Sequence, residues 1–429
     1  MNLAATRRII RDWATRSTVR DHYWGAREQA LRVSRLLRSR NRAFARFVLA
    51  DQMRYLRGSV RPVRGETRER AAAAVAWLLR AQDATPDRGV SLGYFPCDDA
   101  TRDRGGWRLS YPETTGYIIP SLLAYAERFG RPDVRERALE MARWETEVQM
   151  PSGAVQGGPV CAPEKQVPAV FNTGMVLQGY TAAYRATGDT LFLDAGRRAA
   201  DFLVGDMDAL GHFRSHGVYV ADARIKTYNC LCAWGLYRFG EDAGEARYRD
   251  AAVRNVEAAL GQQEPNGWFA NNCLTRPDSP LLHTIGYALQ GVLEVGILAG
   301  QERFVGAARR GAAALLPHID AYGAIPGRFY ADGSPASLSA CLTGNAQLAV
   351  VCYRLHEVTR HPAFHDAATR LTDWLKAIQQ LDTGDPGVDG AIGGSFPLLG
   401  DYMTGGFPNW ATKYFLDALL EQERRGMQQ

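Results

Sequence analysis

The fold class predicted by this 429-residue sequence is all-α, an (α/α)6 toroid or six-hairpin barrel. Three observations predict it. Apolar and polar helical stretches alternate, a glycine turn follows each polar stretch, and the unit recurs six times. Each hairpin must bury its apolar face against a neighbour, and six inner helices that are apolar on nearly all sides fit a closed ring better than an open superhelix.

In chain order, residues 1–65 come first, a basic amphipathic helical arm. They carry sixteen arginines against Asp12, Asp21, Glu28 and Asp51, a charge of +12, whereas residues 66–429 sum to −7. The stretch RDHYWGAREQALRVSRLLRSRNRAFARFVLADQMRYLRG sets Leu, Val and Phe on one helical side and arginine on the other. Two readings stay open: helices packed on the outside of the ring, or a surface that meets anionic lipid, polymer or a protein partner.

The toroid, residues 66–429, opens on the polar outer helix TRERAAAAVAWLLRAQD and its turn RGVSLGYFP. The first apolar run, TGYIIPSLLAYAERFG, begins at 115. TGMVLQGYTAAYRATGD, TYNCLCAWGLYRFG, TIGYALQGVLEVGILAG and TGNAQLAVVCYRLHEVT follow at intervals of 58, 54, 57 and 59 residues. FPNWATKYFLDALL, near 408, is the sixth inner helix and closes the ring against the first. Between the inner helices lie polar ones near 132, 190, 246, 301 and 362, each with one apolar stripe and one charged face.

In such a ring, the inner-helix N-termini and the loops leading into them line one mouth of the central cavity, where a site is expected. These lead-ins offer flat aromatic faces for sugar rings in Trp107, Tyr111, Tyr228, Tyr287, Tyr402 and Trp410. Paired donors and acceptors come from Asn172, Asn229, Asn272 and Asn345. Lysine is scarce, yet three of the four, Lys165, Lys226 and Lys413, fall in lead-ins, alongside Arg224, Arg276 and Arg328. With the positive ends of the helix dipoles, they predict a cationic mouth and an anionic ligand.

For acid–base work the candidates are His283 and Tyr287, four residues apart on one helix face, with Tyr228, Glu113 and Asp222. A glycosidase needs two facing carboxylic acids. Lyase or epimerase chemistry at a uronic acid needs a base, an acid such as tyrosine, and a cation or amide on the carboxylate. The sequence lacks HExxH, zinc-spaced His/Cys clusters and a phosphate-cradling GxxxxGK, so no metal or other cofactor is expected.

The repeat, the TG-initiated inner helices and aromatic lead-ins such as FPNWATKYF resemble the six-hairpin (α/α)6 carbohydrate-active enzymes over about residues 66–425. That group includes unsaturated glucuronyl hydrolases, acylglucosamine 2-epimerases, and the helical domains of polysaccharide lyases and glucuronyl 5-epimerases. The resemblance implies a sugar-processing enzyme without choosing among these activities. The turn QQEPNGWF also resembles the repeats of terpenoid cyclases, but their acidic DxDD motif is missing.

The seven cysteines lack CxxC spacing, and no secretory or membrane-spanning apolar run occurs. The expectation is a cytoplasmic enzyme, with peripheral contact at the inner membrane face through the arm. Its substrate would be an acidic oligo- or polysaccharide, altered by lyase or epimerase chemistry, and no nucleic-acid partner is expected. A two-carboxylate glycoside hydrolase and a non-catalytic glycan-binding or assembly protein are the alternatives.

Overall fold

At five of the six inner helices a threonine hydroxyl fastens the loop that leads in; the exception is Thr343, whose hydroxyl is unpartnered among the described residues. Thr115 accepts the Val90 N–H and Thr173 that of Val155, both at 2.9 Å, while Thr412 accepts that of Ile392 at 3.3 Å. Thr227 and Thr284 donate instead, to the carbonyls of Ala270 and Asn272. Each bond satisfies a backbone group of a buried loop that no ladder reaches.

The computed structural model describes residues 42–96, 105–217 and 225–426. After α1 (Arg42–Leu56), outer helices α2 (Thr67–Asp83), α4 (Pro132–Val148), α6 (Thr190–Asp206), α8 (Ala246–Leu260), α10 (Glu302–Leu315) and α12 (Pro362–Ile378) alternate with inner ones. The inner helices are α3 (Pro112–Phe129), α5 (Val170–Thr187), α7 (Cys230–Asp242), α9 (Leu282–Leu298), α11 (Leu342–Thr359) and α13 (Asn409–Gly426). All twelve start within three residues of the positions read from the sequence. α7 starts three residues late because Thr227–Asn229 form a 3-10 turn first.

Neighbouring inner helices come together at small residues. A Cβ on Gly116 of α3 would lie 2.5 Å from Val176 Cα, and one on Gly344 of α11 would lie 2.7 Å from the His283 nitrogen of α9. The TG signature thus combines a loop anchor with a close helix contact. Outer helices are held by a second device. The turn glycines Gly153 (φ 83°) and Gly323 (φ 106°) sit in the left-handed region, and a Cβ there would meet the Arg198 and Arg370 carbonyls of the next outer helix. Gln149 spans the contact, donating to the Gly153 and Ala195 carbonyls at 3.0 Å and accepting from Arg198 at 2.6 Å. Gln263 repeats this with Gly267, Ala307 and Arg310.

The ring closes where α13 packs on α11, α3 and α2. At the mouth, β1 (Gly93–Phe95) pairs antiparallel with β2 (Gly106–Trp107) and with β5 (Phe407–Pro408), joining the first turn to the last lead-in. β3 (Ala340–Cys341) and β4 (Ser395–Phe396) form a second small ladder. At the opposite end Arg354 of α11 holds Glu294 of α9 at 2.8 Å and Glu357 at 2.6 Å, and Arg424 of α13 reaches the same Glu357 at 2.6 Å. α1 lies across the lead-ins of α11 and α13. Its Phe44 and Val48 are buried, Asp51 accepts the Leu398 N–H at 2.6 Å, and Tyr55 donates to the Leu338 carbonyl. The rest of the arm, residues 1–41, lies outside the described residues, as do Asp222 and Arg224.

Glu145 on α4 is fully buried, and neither carboxylate oxygen has a hydrogen-bond partner among the described residues. Burial, aided by Asp87, pushes its pKa well above the usual carboxylate range. The folded state therefore holds a proton that the unfolded chain releases above its own pKa, so this residue withdraws stability as pH rises. Replacing it by the similarly sized methionine, Glu145→Met, is predicted to raise the urea midpoint, by more at pH 8 than at pH 5, an increment on the order of 1–3 kcal/mol. A variant whose gain shrinks with pH would contradict the buried-acid assignment. Gly344→Ala, which forces α9 and α11 apart, is predicted to destabilise by about 1–3 kcal/mol, measured as the shift in the same midpoint.

Candidate active site

The inner-helix starts converge on an imidazole surrounded by phenols. His283, in the first turn of α9, is buried, with ring centroids of Tyr287, Tyr402 and Tyr414 at 4.4, 5.5 and 6.4 Å. Phe171 of α5 packs at 4.7 Å against Tyr287 and at 5.5 Å against Tyr228, so α5, the turn before α7, α9, α13 and the last lead-in all supply walls. Gln347 of α11 accepts a hydrogen bond from His283 Nδ1 at 2.9 Å. An amide oxygen only accepts, so Nδ1 carries the proton and Nε2 is left as the basic nitrogen. Burial lowers the imidazole to about 4, against the opposing bond to Gln347, so the ring is neutral at pH 7.

Glu113, in the first turn of α3, faces the same cluster. Its carboxyl accepts the Tyr111 hydroxyl at 2.7 Å. Burial pushes it up to about 7, and the Tyr111 bond draws it back only in part. Burial, with contributions from the Glu113 charge and from neighbouring acidic side chains, holds the hydroxyls of Tyr117, Tyr287, Tyr402 and Tyr414 well above the ordinary tyrosine range. The site therefore combines a neutral base, a carboxyl poised near neutrality and several protonated phenols. Proton transfer with little net charge is the chemistry this set can do.

Tyr402 accepts the Trp410 indole N–H at 2.9 Å, and Trp410 stacks edge-on against Tyr111, which ties the sixth lead-in to the first inner helix. Asn345 is fully buried with both amide atoms unpartnered among the described residues, and Asn229 Oδ1, Asn272 Oδ1 and the Tyr117 hydroxyl are in the same state. Buried polar groups seldom go unsatisfied, so these are hydrogen-bonding capacity available to a ligand or water. Asn172 is instead committed to the Gln156 carbonyl at 2.9 Å.

The remaining predicted residues are spread more widely. Trp107 packs between Trp77 of α2 and Tyr94, at 5.3 and 5.2 Å, as part of the ring wall. Lys165 and Arg276 are exposed on their loops. Lys226 is buried and lies 3.7 Å from Cys273 Sγ. Arg328 is buried and bonded to Asp401 at 2.7 Å, and Lys413 is buried and paired with Asp417 at 2.7 Å, over the rings of Tyr414 and Tyr117. Two cations of the expected positive mouth are thus neutralised within the protein. Gln347 and Asp417 are contributors that sequence reasoning left out of the site. A faint signal existed for both: Gln347 lies one helical turn after Thr343, and Asp417 one turn after Lys413.

No protein-family model matches the chain, and no curated protein matches it in sequence. Solved structures match it in shape. An unsaturated glucuronyl hydrolase specific for heparin superposes with a TM-score of 0.67 at 16% identity, over 85% of this chain and 99% of that one. The cellobiose 2-epimerase of Spirochaeta thermophila gives 0.65 at 15%, over 84% and 98%. A D-mannose isomerase gives 0.65 at 11%, over 84% and 97%. The chain has the (α/α)6 toroid fold that these sugar-processing enzymes share.

Proposed function

We propose that the chain is a carbohydrate-active enzyme that moves a proton on an acidic, uronate-containing oligo- or polysaccharide, as a lyase or epimerase does. The observation that carries this reading is His283, held neutral by burial and in one tautomer by Gln347, amid Tyr287, Tyr402 and Tyr414. In this reading His283 Nε2 removes the proton beside the substrate carboxylate. Tyr287 or Tyr414 supplies a proton to the opposite face or to the departing oxygen. Glu113, in the protonated form that it keeps below about 7, donates a hydrogen bond to the enolate-like oxygen, and the unpartnered Asn345 amide and Asn229 Oδ1 hold sugar hydroxyls. Lys226, the exposed Lys165 and Arg276, and the inner-helix N-termini support an anionic substrate. The sugar-processing neighbours support a glycan.

A second reading, glycoside hydrolysis, has one observation in its favour. A carboxyl raised to about 7, as Glu113 is, suits a general acid. Its partner would be Asp222, outside the described residues.

Incubating the full chain in deuterated water with a panel of uronate glycans separates these. The expected result is deuterium at the carbon beside the carboxylate or an unsaturated product, reduced about a hundredfold or more in His283→Asn and about tenfold or more in Tyr287→Phe, with unchanged thermal midpoints. New reducing ends without deuterium or unsaturation would move the assignment to Glu113 and Asp222, and absence of any turnover across the panel would overturn it.

The protonation states also set pH behaviour. In the free enzyme kcat/KM is expected to rise as His283 loses its proton near 4 and to fall as Glu113 ionises near 7. Stability follows with opposite signs. His283, depressed from 6.5, withdraws stability as pH falls towards 4, whereas Glu113, raised from 4.5, withdraws it as pH rises towards 7. Between these values the two contributions offset each other. Glu113→Gln is therefore predicted to expose the histidine, with stability relative to wild type climbing from pH 4.5 to 7 in urea titrations. A difference that stays level across that window would contradict the shifted carboxyl.

A further inference from the structure

α1 has two faces of different fates. Phe44, Val48, Asp51 and Tyr55 recur at i, i+4, i+7 and i+11 and meet the ring. The opposite face is Arg46, Leu49, Ala50, Met53, Leu56 and Arg57, at i, i+3, i+4, i+7, i+10 and i+11, and all six are exposed. Leu49 is 64% exposed, Met53 36% and Leu56 69%. Three large apolar side chains in one stripe, with an arginine at either end, form the pattern of a helix lying in a lipid interface.

Charge selects the occupant. Between residues 42 and 64 the chain carries six arginines and a single acid, and that acid, Asp51, is turned inward to the Leu398 N–H. Arg46, Arg57, Arg61 and Arg64 are exposed. A second copy of the same stripe would bring two arginine sets together, whereas phosphate headgroups accept guanidinium pairs. Among the described residues no helix is long and apolar enough to cross a membrane. α1 packs on the lead-ins around Leu398 and Phe407, beside the mouth that holds the His283 cluster.

We propose that the exposed stripe of α1 is a docking surface for an anionic phospholipid membrane. Leu49, Met53 and Leu56 enter the headgroup boundary, the flanking arginines pair with phosphates, and the mouth of the ring is held at the membrane surface. The inference does not depend on which reaction the site performs.

Co-sedimentation of the full chain with vesicles tests it. Binding to phosphatidylglycerol–phosphatidylcholine vesicles is expected to be about tenfold or more tighter than to phosphatidylcholine alone, and to weaken with salt. The triple variant Leu49→Glu/Met53→Glu/Leu56→Glu is expected to lose vesicle binding, and Arg46→Ser/Arg57→Ser to lose only the preference for anionic lipid. Both should keep the wild-type circular dichroism and thermal midpoint, because the changed side chains are exposed. Vesicle binding undiminished in the triple variant, or no binding by the wild type, would overturn the proposal. Concentration-dependent dimerisation abolished by the triple variant, with no vesicle binding, would assign the stripe to a second copy of the chain.

Discussion

The close approach of neighbouring inner helices at their first turns is the constraint on which the rest of this structure depends. Gly116 and Gly344 leave no room for a Cβ, and at the first of these the preceding Thr115 also fixes the loop that delivers the helix to that contact. With the N-termini brought together around one mouth, the first-turn side chains have nowhere to point but at one another. His283 meets Gln347 because α9 and α11 touch at Gly344, one turn away from that glutamine. Chemistry and packing therefore share the same turn of helix.

Burial in this narrow place accounts for the unusual protonation states. The same desolvation that keeps His283 neutral keeps Glu113 protonated towards neutrality and the phenols of Tyr287 and Tyr414 undissociated. Two of the charges inside the ring are compensated on the spot: Lys413 by Asp417, itself bonded to Ser121, and Arg328 by Asp401, which also accepts from Ser339. A low-dielectric site with paired charges and unpaired amides is suited to recognising hydroxyls and moving protons.

Most of the architecture was legible in the sequence because it is periodic. Threonine spacing, alternating polarity and glycine turns each report a contact that recurs in the ring, so the helices and their order followed. Site membership was legible only in part. His283, Tyr287 and Glu113 could be placed because they lie in the first turns of inner helices. Which side chain they would meet could not, since Gln347 is 64 residues from His283 and their meeting is set by packing between helices. Likewise Arg328 and Asp401 lie 73 residues apart, so a cation that reads as free in the sequence is spoken for in the fold. Trp107, an aromatic in a lead-in like the others, belongs to the wall because β1 draws it onto Trp77.

A crystal structure of the full chain with a bound uronate oligosaccharide addresses the central claim most directly. The account predicts a uronate ring stacked among Tyr287, Tyr402 and Tyr414, with the carbon beside its carboxylate within reach of His283 Nε2 and its hydroxyls on the amides of Asn345 or Asn229. Sugar density lodged elsewhere, with His283 still enclosed by the tyrosines and touching no ligand, would contradict it.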